Sequence, residues 1–369
     1  VGGVLFAVAF DLARMKVIGN PVAVAAGVRR SPDLTVSGTA HFSISQSGTL
    51  IYVPGVVGDA GSQQDIAVME RGGGVQPLNL PPGAYEFPRV SPDGNRIAFG
   101  NGDNEAAVWI YERQGTSAMR RLTFGGKSRY PVWSPDGQRI AFQSDRDGDR
   151  GIFWQAADGT GAPERLTSAD GASSHAPVSW SPDGNTLLFD VTTGGRVALW
   201  THSRREKKAA PFDGVESSSP TAAMFSPDGR WVAYTSTAAG SSERIYVEPF
   251  PSTGAKYQLF AKQGDGPHHP LWSPDGRELF YIPGPGGFEA VPVRMQPTFS
   301  FGNPVTVPRG FVTAAKTTLR TFDITPDGKI VGVVSREPSG ASSLAASITR
   351  IVVVLHWVDE LRRRVPVRE

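Results

Sequence analysis

Apolar residues in this chain come in short runs, each ended by glycine, proline, aspartate or asparagine. Two pairs of runs show the pattern. Tyr130-Pro131-Val132-Trp133 stands with Arg139-Ile140-Ala141-Phe142, and His269-Pro270-Leu271-Trp272 with Glu278-Leu279-Phe280-Tyr281. Runs this short, rich in β-branched and aromatic residues, predict strands, and no amphipathic helical pattern appears before the C-terminus. Between the members of each pair stands one turn. It reads Ser91-Pro92-Asp93-Gly94 and recurs complete, ending at Gly137, Gly184, Gly229 and Gly276. Thr325-Pro326-Asp327-Gly328 closes the series, and a weaker Ser45-Gln46-Ser47-Gly48 opens it. Proline presets φ for the second position of a type I turn, and aspartate accepts nearby backbone N–H groups at the third. Glycine then takes the left-handed conformation that lets the chain rejoin the ladder. Each marker therefore joins a first strand to a second.

The marker glycines lie 46, 43, 47, 45, 47 and 52 residues apart. Two more strands fit in each interval, such as Gly151 to Ala156 with Glu164 to Thr167, and Glu243 to Phe250 with Lys256 to Phe260. Four short strands in about 45 residues make a β-propeller blade. A β-sandwich, the competing all-β reading, does not repeat one turn at constant spacing. The whole chain, 1–369, reads as one propeller domain of four-stranded antiparallel blades. Val4 to Phe10 and Pro21 to Val24 match the pattern of Gly287 to Val293 and Phe301 to Val307, down to a shared Gly-Asn-Pro-Val. Residues 1–28 are thus expected to supply the outer strands of a closing blade. Residues 39–310 give six complete blades, 311–357 the rest of the closing one, and 358–369 a short helix and tail. That makes seven blades, with the ring closed by both termini, which removes two unpaired edges. Ile348 to Trp357 competes for a place in the closing blade, so the alternative is six blades with extra terminal strands.

Composition narrows the partners. A formal net charge of +2 gives no bulk field for nucleic acid or an acidic membrane surface. The absence of cysteine excludes disulfides and thiol chemistry. No run approaches the roughly 20 apolar residues of a membrane-spanning helix. The start at Val1, with neither methionine nor leader, is expected of an excised piece of something longer.

Candidate chemistry gathers where first strands begin. His41 and His269 lie four residues before their markers, His268 five and His175 six. First strands line a propeller's channel, so His41, His175 and His269 could face one opening and hold a divalent metal. Solvated polar groups at the mouth are the plainer reading, and no cofactor is expected. Asp145, Asp147 and Asp149 alternate like the start of a calcium loop, but Arg150 and Ala156 occupy the glycine and glutamate positions of that loop. A turn explains them more simply. No Gly-x-Ser-x-Gly elbow occurs. Arg89, Arg129 and Tyr130 sit beside first strands, so a basic and aromatic rim could bind a peptide or sugar, set against aromatics that simply pack between blades.

The Ser-Pro-Asp-Gly turns followed by Arg-Ile-Ala-Phe, together with Ser144-Asp145-Arg146-Asp147-Gly148, resemble the repeats of TolB-like β-propellers. Glu243 to Tyr257 and Val354-Leu355-His356-Trp357-Val358-Asp359-Glu360-Leu361 resemble one subgroup more closely. It comprises propeller regions that follow a kinase domain and membrane helix in bacterial serine/threonine protein kinases, and related stand-alone secreted proteins. The resemblance implies an extracytoplasmic sensor or scaffold domain that binds a protein, peptide or envelope ligand. No kinase motif occurs in the chain, so phosphoryl transfer is not carried over. The expectation is a monomeric, non-catalytic binding propeller. The alternative is a metal-dependent lyase or hydrolase with histidines at the channel mouth, a chemistry that some propeller lyases of similar repeat perform.

Overall fold

The computed structural model describes residues 5–25, 28, 42–52, 64–81, 83–102, 106–114, 119–237, 242–260, 266–284, 287–312, 317–335, 352–355 and 357–364. The chain divides into two compact units, one of residues 64–336 and one of residues 1–63 with 337–369.

The larger unit is a β-propeller of six antiparallel sheets, and each of the six markers from Ser91 to Gly328 joins the first two strands of one of them. Blade 1 runs from the channel outward as Tyr85–Val90, Arg96–Asn101, Ala107–Glu112 and Arg120–Arg121. Blade 2 is Ser128–Trp133, Arg139–Ser144, Gly151–Ala156 and Glu164–Thr167. Blade 3 is Ser173–Trp180, Thr186–Thr193, Arg196–Ser203 and Lys208–Ser217. Blade 4 is Met224–Phe225, Trp231–Ser236, Arg244–Pro249 and Tyr257–Gln258. Blade 5 is His268–Trp272, Glu278–Ile282 and Glu289–Arg294, the last pairing with both Ser300–Phe301 and Val305–Thr306. Blade 6 takes Phe322–Ile324 and Ile330–Ser335 from the end of the unit and Gln64–Met69 and Val75–Pro77 from its start.

The all-β propeller of four-stranded blades expected from the repeat is what the structure shows, with the six blades and extra terminal strands of the alternative reading in place of seven blades. Residues 64–77, assigned by spacing to a first complete blade, instead close the ring against the last one. Their register runs from Ile330 opposite Met69 to Ser335 opposite Gln64. Burial decides this pairing. Gln64–Met69 is buried along nearly its whole length, as is Ile330–Ser335, so pairing them hides two apolar runs at once. Phe42–Ile44, ahead of the weak first marker, is exposed throughout and offers no such gain.

In the smaller unit Leu5–Asp11 pairs with Lys16–Ala25 in a two-stranded sheet of their own, and the outer places of the closing blade expected for them are filled by Gln64–Met69 and Val75–Pro77. Phe42–Ile44, Leu50–Tyr52 and Val352–Val354 form a separate three-stranded sheet, and Trp357–Arg364 is a helix. Val24, Leu50 and Trp357 form this unit's core, with Leu5, Tyr52 and Leu361 packed against them.

The marker turns set the frame of the larger unit. In all six the serine or threonine hydroxyl donates to the aspartate and accepts a backbone amide at 2.9–3.0 Å. Successive turns also touch. A Cβ on Gly229 would lie 3.1 Å from Pro182 of the preceding marker, and one on Gly94 3.0 Å from Pro326 across the ring closure. Gly328 has nothing within 4 Å. There, between blades 5 and 6, a groove of about 450 Å³ opens over Phe280 and Ile324.

Candidate functional site at the propeller channel

The innermost strands share a distortion. Four residues before each of four markers a non-glycine residue takes positive φ: Phe87 at 52°, Tyr130 at 57°, Ala222 at 47° and His269 at 57°. Pairing with the second strand slips at the same place, between Glu86 and Arg89, Arg129 and Val132, and His268 and Leu271. These are β-bulges, and a left-handed bulky residue is held there only because its surroundings fix it. Proline follows at Pro88, Pro131 and Pro270, where the bulge calls for no ladder N–H. Neighbouring blades take up the groups left over. The Trp133 indole donates to the Arg89 carbonyl at 2.9 Å, and the Trp272 indole to the Met224 carbonyl at 3.3 Å. Asp323 accepts the Val90 amide at 2.8 Å, and Thr235 that of His269 at 3.2 Å.

The bulged side chains meet in the centre. Phe87 and Tyr130 contact edge to face at 4.8 Å, and Phe87 shares a packed cluster with Val178, Ala223 and Leu319. Beside this apolar plug lies a buried charge cluster from blades 1, 5 and 6. Arg89 donates to the Pro88 carbonyl at 2.7 Å. Arg320 donates to the carbonyls of Phe322 at 3.1 Å and Pro270 at 3.0 Å, and lies 3.9 Å from Asp323. Burial brings the Arg89 guanidinium down to about 9, with Arg320 adding to the fall and Asp323 opposing it. Burial also lowers Arg320, again against Asp323. His269 falls to about 3, through burial first and then His268, so it is neutral at pH 7. Its Nε2 meets the Thr318 carbonyl at 2.8 Å and its Nδ1 the His268 Nδ1 at 2.7 Å.

The predicted site residues fare differently. His41 lies outside the described residues. Arg89 is not on a rim: it is 8% exposed, because the bulge at Phe87 carries it inward between blades. Arg129 and Tyr130 are half-buried, and burial raises the Tyr130 phenol. His175 is enclosed. Its Nδ1 meets Thr167 Oγ1 at 2.9 Å, its ring packs on Phe189 at 5.3 Å, and burial lowers its pKa. The charges acting on it are Asp149 and Asp170, whereas those on His269 are His268, Arg320 and Arg89. The two imidazoles therefore occupy separate environments, and among the described residues no group of three ligating side chains could hold a metal. The three alternating aspartates are occupied as well. Asp145 accepts the Lys127 amide, Arg165 bridges Asp147 and Asp149, and Asp149 also accepts the Ala169 amide.

Sequence reasoning missed Arg320, Asp323 and Asp190. Asp323 stands two residues before its marker, as Arg89 does, and a comparison of that position between the last and first blades would have exposed the pair. Asp190 is buried on the second strand of blade 3 and receives the Thr221 amide of blade 4 at 3.0 Å. Burial lifts its carboxyl to about 7 against those hydrogen bonds.

No family model matches the chain. An uncharacterized peptidase, YuxL of Bacillus subtilis (strain 168), is 29% identical over 202 residues, which is 53% of this chain; the chain spans 28% of that relative's length. That similarity to a peptidase-named protein overturns the expectation of a non-enzyme, which has no support from the comparisons. Among solved structures, a putative TolB from Agrobacterium tumefaciens superposes with a TM-score of 0.58 at 16% identity, covering 75% of this chain and all but 1% of its own. Hydrazine synthase of Kuenenia stuttgartiensis gives 0.52 at 15%, over 85% of this chain and 94% of its own. At these identities the likeness is one of fold. The chain carries a β-propeller of the TolB-like fold.

Proposed function

We propose that the six-bladed unit is an extracytoplasmic interaction module that binds a peptide or protein segment on the face opposite the markers, at the channel mouth. The observation that carries this reading is the contrast between the faces. One is fixed by six identically bonded turns. The other is built from connections that differ in every blade, where sequence can vary at no cost to the scaffold. Large apolar groups stand open on that second face. Phe124 is 66% and Phe260 78% exposed, each just past the outer strand of its blade. Arg121 lies 5.3 Å from the Phe124 ring centre, and Arg129 and Tyr130 sit at the start of an inner strand. Exposed aromatics with arginine are the usual anchors of a peptide interface. Peptides selected from a random display library on the full chain test the reading. Phe124→Ser with Phe260→Ser, or Arg129→Glu, should weaken the selected peptides at least tenfold, and Arg277→Glu on the marker face should not. The reverse pattern would refute it.

A second reading is favoured by the peptidase-named relative: the propeller holds substrate for a peptidase-type catalytic part. Hydrolysis of fluorogenic peptides by the full-length gene product, slowed by the same mouth-face variants, would support it. No hydrolysis across a varied peptide panel would overturn it.

A further inference from the structure

The buried cluster where the ring closes is short of negative charge. Arg89 comes from blade 1, His269 from blade 5, and Arg320 and Asp323 from blade 6. All four are at least nine-tenths enclosed, at 8%, 1%, 4% and 9% exposure. With His269 neutral, two guanidiniums share one carboxylate. That carboxylate is already committed: one oxygen accepts the Val90 amide and the other lies 3.9 Å from Arg320. Arg89 makes no ion pair, and its Nε finds no hydrogen-bond acceptor among the described residues. A buried guanidinium with an idle donor and only a shared, unbonded counter-charge is disfavoured, and proteins meet this cost by pairing the charge.

We propose that the cluster binds one small monovalent anion, a halide or a carboxylate of formate size, on Arg89 Nε between the two guanidiniums. Size follows from enclosure, since residues this deeply buried admit no polypeptide. Charge follows from the single positive excess, which one monovalent anion cancels through charge-assisted hydrogen bonds. The anion would join three blades at the junction where the two ends of the unit meet, acting as a clasp on ring closure. This site is separate from the peptide-binding face and stands whether or not that face is correct.

The test uses the full chain. Crystals grown in sodium bromide should show an anomalous peak within hydrogen-bonding reach of Arg89 Nε. Thermal unfolding at fixed ionic strength should rise in midpoint with sodium chloride or sodium formate relative to sodium gluconate. The salt that half-saturates at lower concentration identifies whether halide or carboxylate is preferred. Arg89→Met should abolish the response, and Arg277→Gln, an exposed control, should leave it intact. Asp323→Asn keeps an acceptor for Val90 but removes the competing charge, so it should lower the half-saturating concentration at least tenfold. That opposite sign keeps the proposal testable if Arg89→Met does not fold. No bromide peak with superimposable melting in the three salts would overturn it, as would a wild-type response in Arg89→Met.

Discussion

The marker ring and the inner strands that lead into it lie a few residues apart, yet obey different rules. At the markers, six turns carry the same hydroxyl-to-carboxylate bond and the same amide closure. Two residues earlier the six blades present Arg89, Val132, Ser179, Met224, Leu271 and Asp323. Four residues earlier they present Phe87, Tyr130, Pro177, Ala222, His269 and Thr321. Repetition is thus spent on the backbone, whose bulge recurs while its side chain changes. The lesson is that the turns fix where the inner strands stand, and the inner strands are then free to differ. Individual chemistry, including the buried charges, sits on the second set.

The largest effect should come from the individual set. Asp323→Ala leaves Arg89 and Arg320 buried without a carboxylate and the Val90 amide without its acceptor, and should cost about 3–5 kcal/mol in denaturant unfolding. A loss equal to that of a marker serine would erase the distinction between the two sets. Glycines in the ring come next. Gly229→Ala combines a φ of 71° with a 3.1 Å approach to Pro182, and should cost about 2–3 kcal/mol. Gly328→Ala, with φ of 82° and open space around it, should cost only about 1 kcal/mol. Equal costs would mean that contact between successive turns contributes nothing. Removing one marker hydroxyl, as in Ser134→Ala or Ser226→Ala, should cost about 1 kcal/mol. The value should be nearly the same in each blade, and a wide spread would break the claim of equivalence.

Protonation sharpens the comparison further. Hydrogen bonds from the marker hydroxyls hold Asp93, Asp183, Asp275 and Asp327 below the ordinary carboxylate range. Their stabilisation is present above the unfolded pKa of about 4 and is lost as pH falls through the depressed folded values. The buried groups act at higher pH and in opposite senses. Asp190, raised to about 7, keeps its proton in the fold after the unfolded chain has lost it, so it makes stability fall as pH rises from about 4 to 7. His269, lowered to about 3, refuses the proton that the unfolded chain accepts below about 6.5, so it makes stability rise over much of the same range. The two slopes oppose each other. Asp190→Asn should remove one and expose the other, giving a steeper rise between pH 4 and 6.5 by up to about 1.4 kcal/mol per unit. An unchanged slope would place Asp190 in ordinary solvent.

What could be read from the sequence follows the same division. The turns were legible because proline, aspartate and glycine act on their own backbone, and the blade from the constant spacing between glycines. Ring closure was not. Gln64–Met69 follows the first weak marker at the right distance to serve as its third strand. Only burial of Ile66 and Val68 against the run at Ile330–Ser335 assigns it elsewhere. Pairing across about 270 residues leaves no local trace. Arg89 was picked out but placed on a rim, because the bulge at Phe87-Pro88 defeats a period-two reading. Its relation to Asp323 acquires meaning only once blades 6 and 1 are known to be neighbours.

Closure of six blades by residues 64–77 is the claim on which the rest stands, and one cross-link tests it. The chain has no cysteine, so Gln64→Cys with Ser335→Cys places a single thiol pair on directly opposed positions of the closing strands. Mild oxidation should join them quantitatively, with the folded spectrum retained and the unfolding midpoint raised, since the bond closes a very long loop. Thiols that stay free under those conditions, while a cysteine placed in Leu5–Asp11 captures the one at 335, would contradict the account and restore a ring closed by the first strands of the chain.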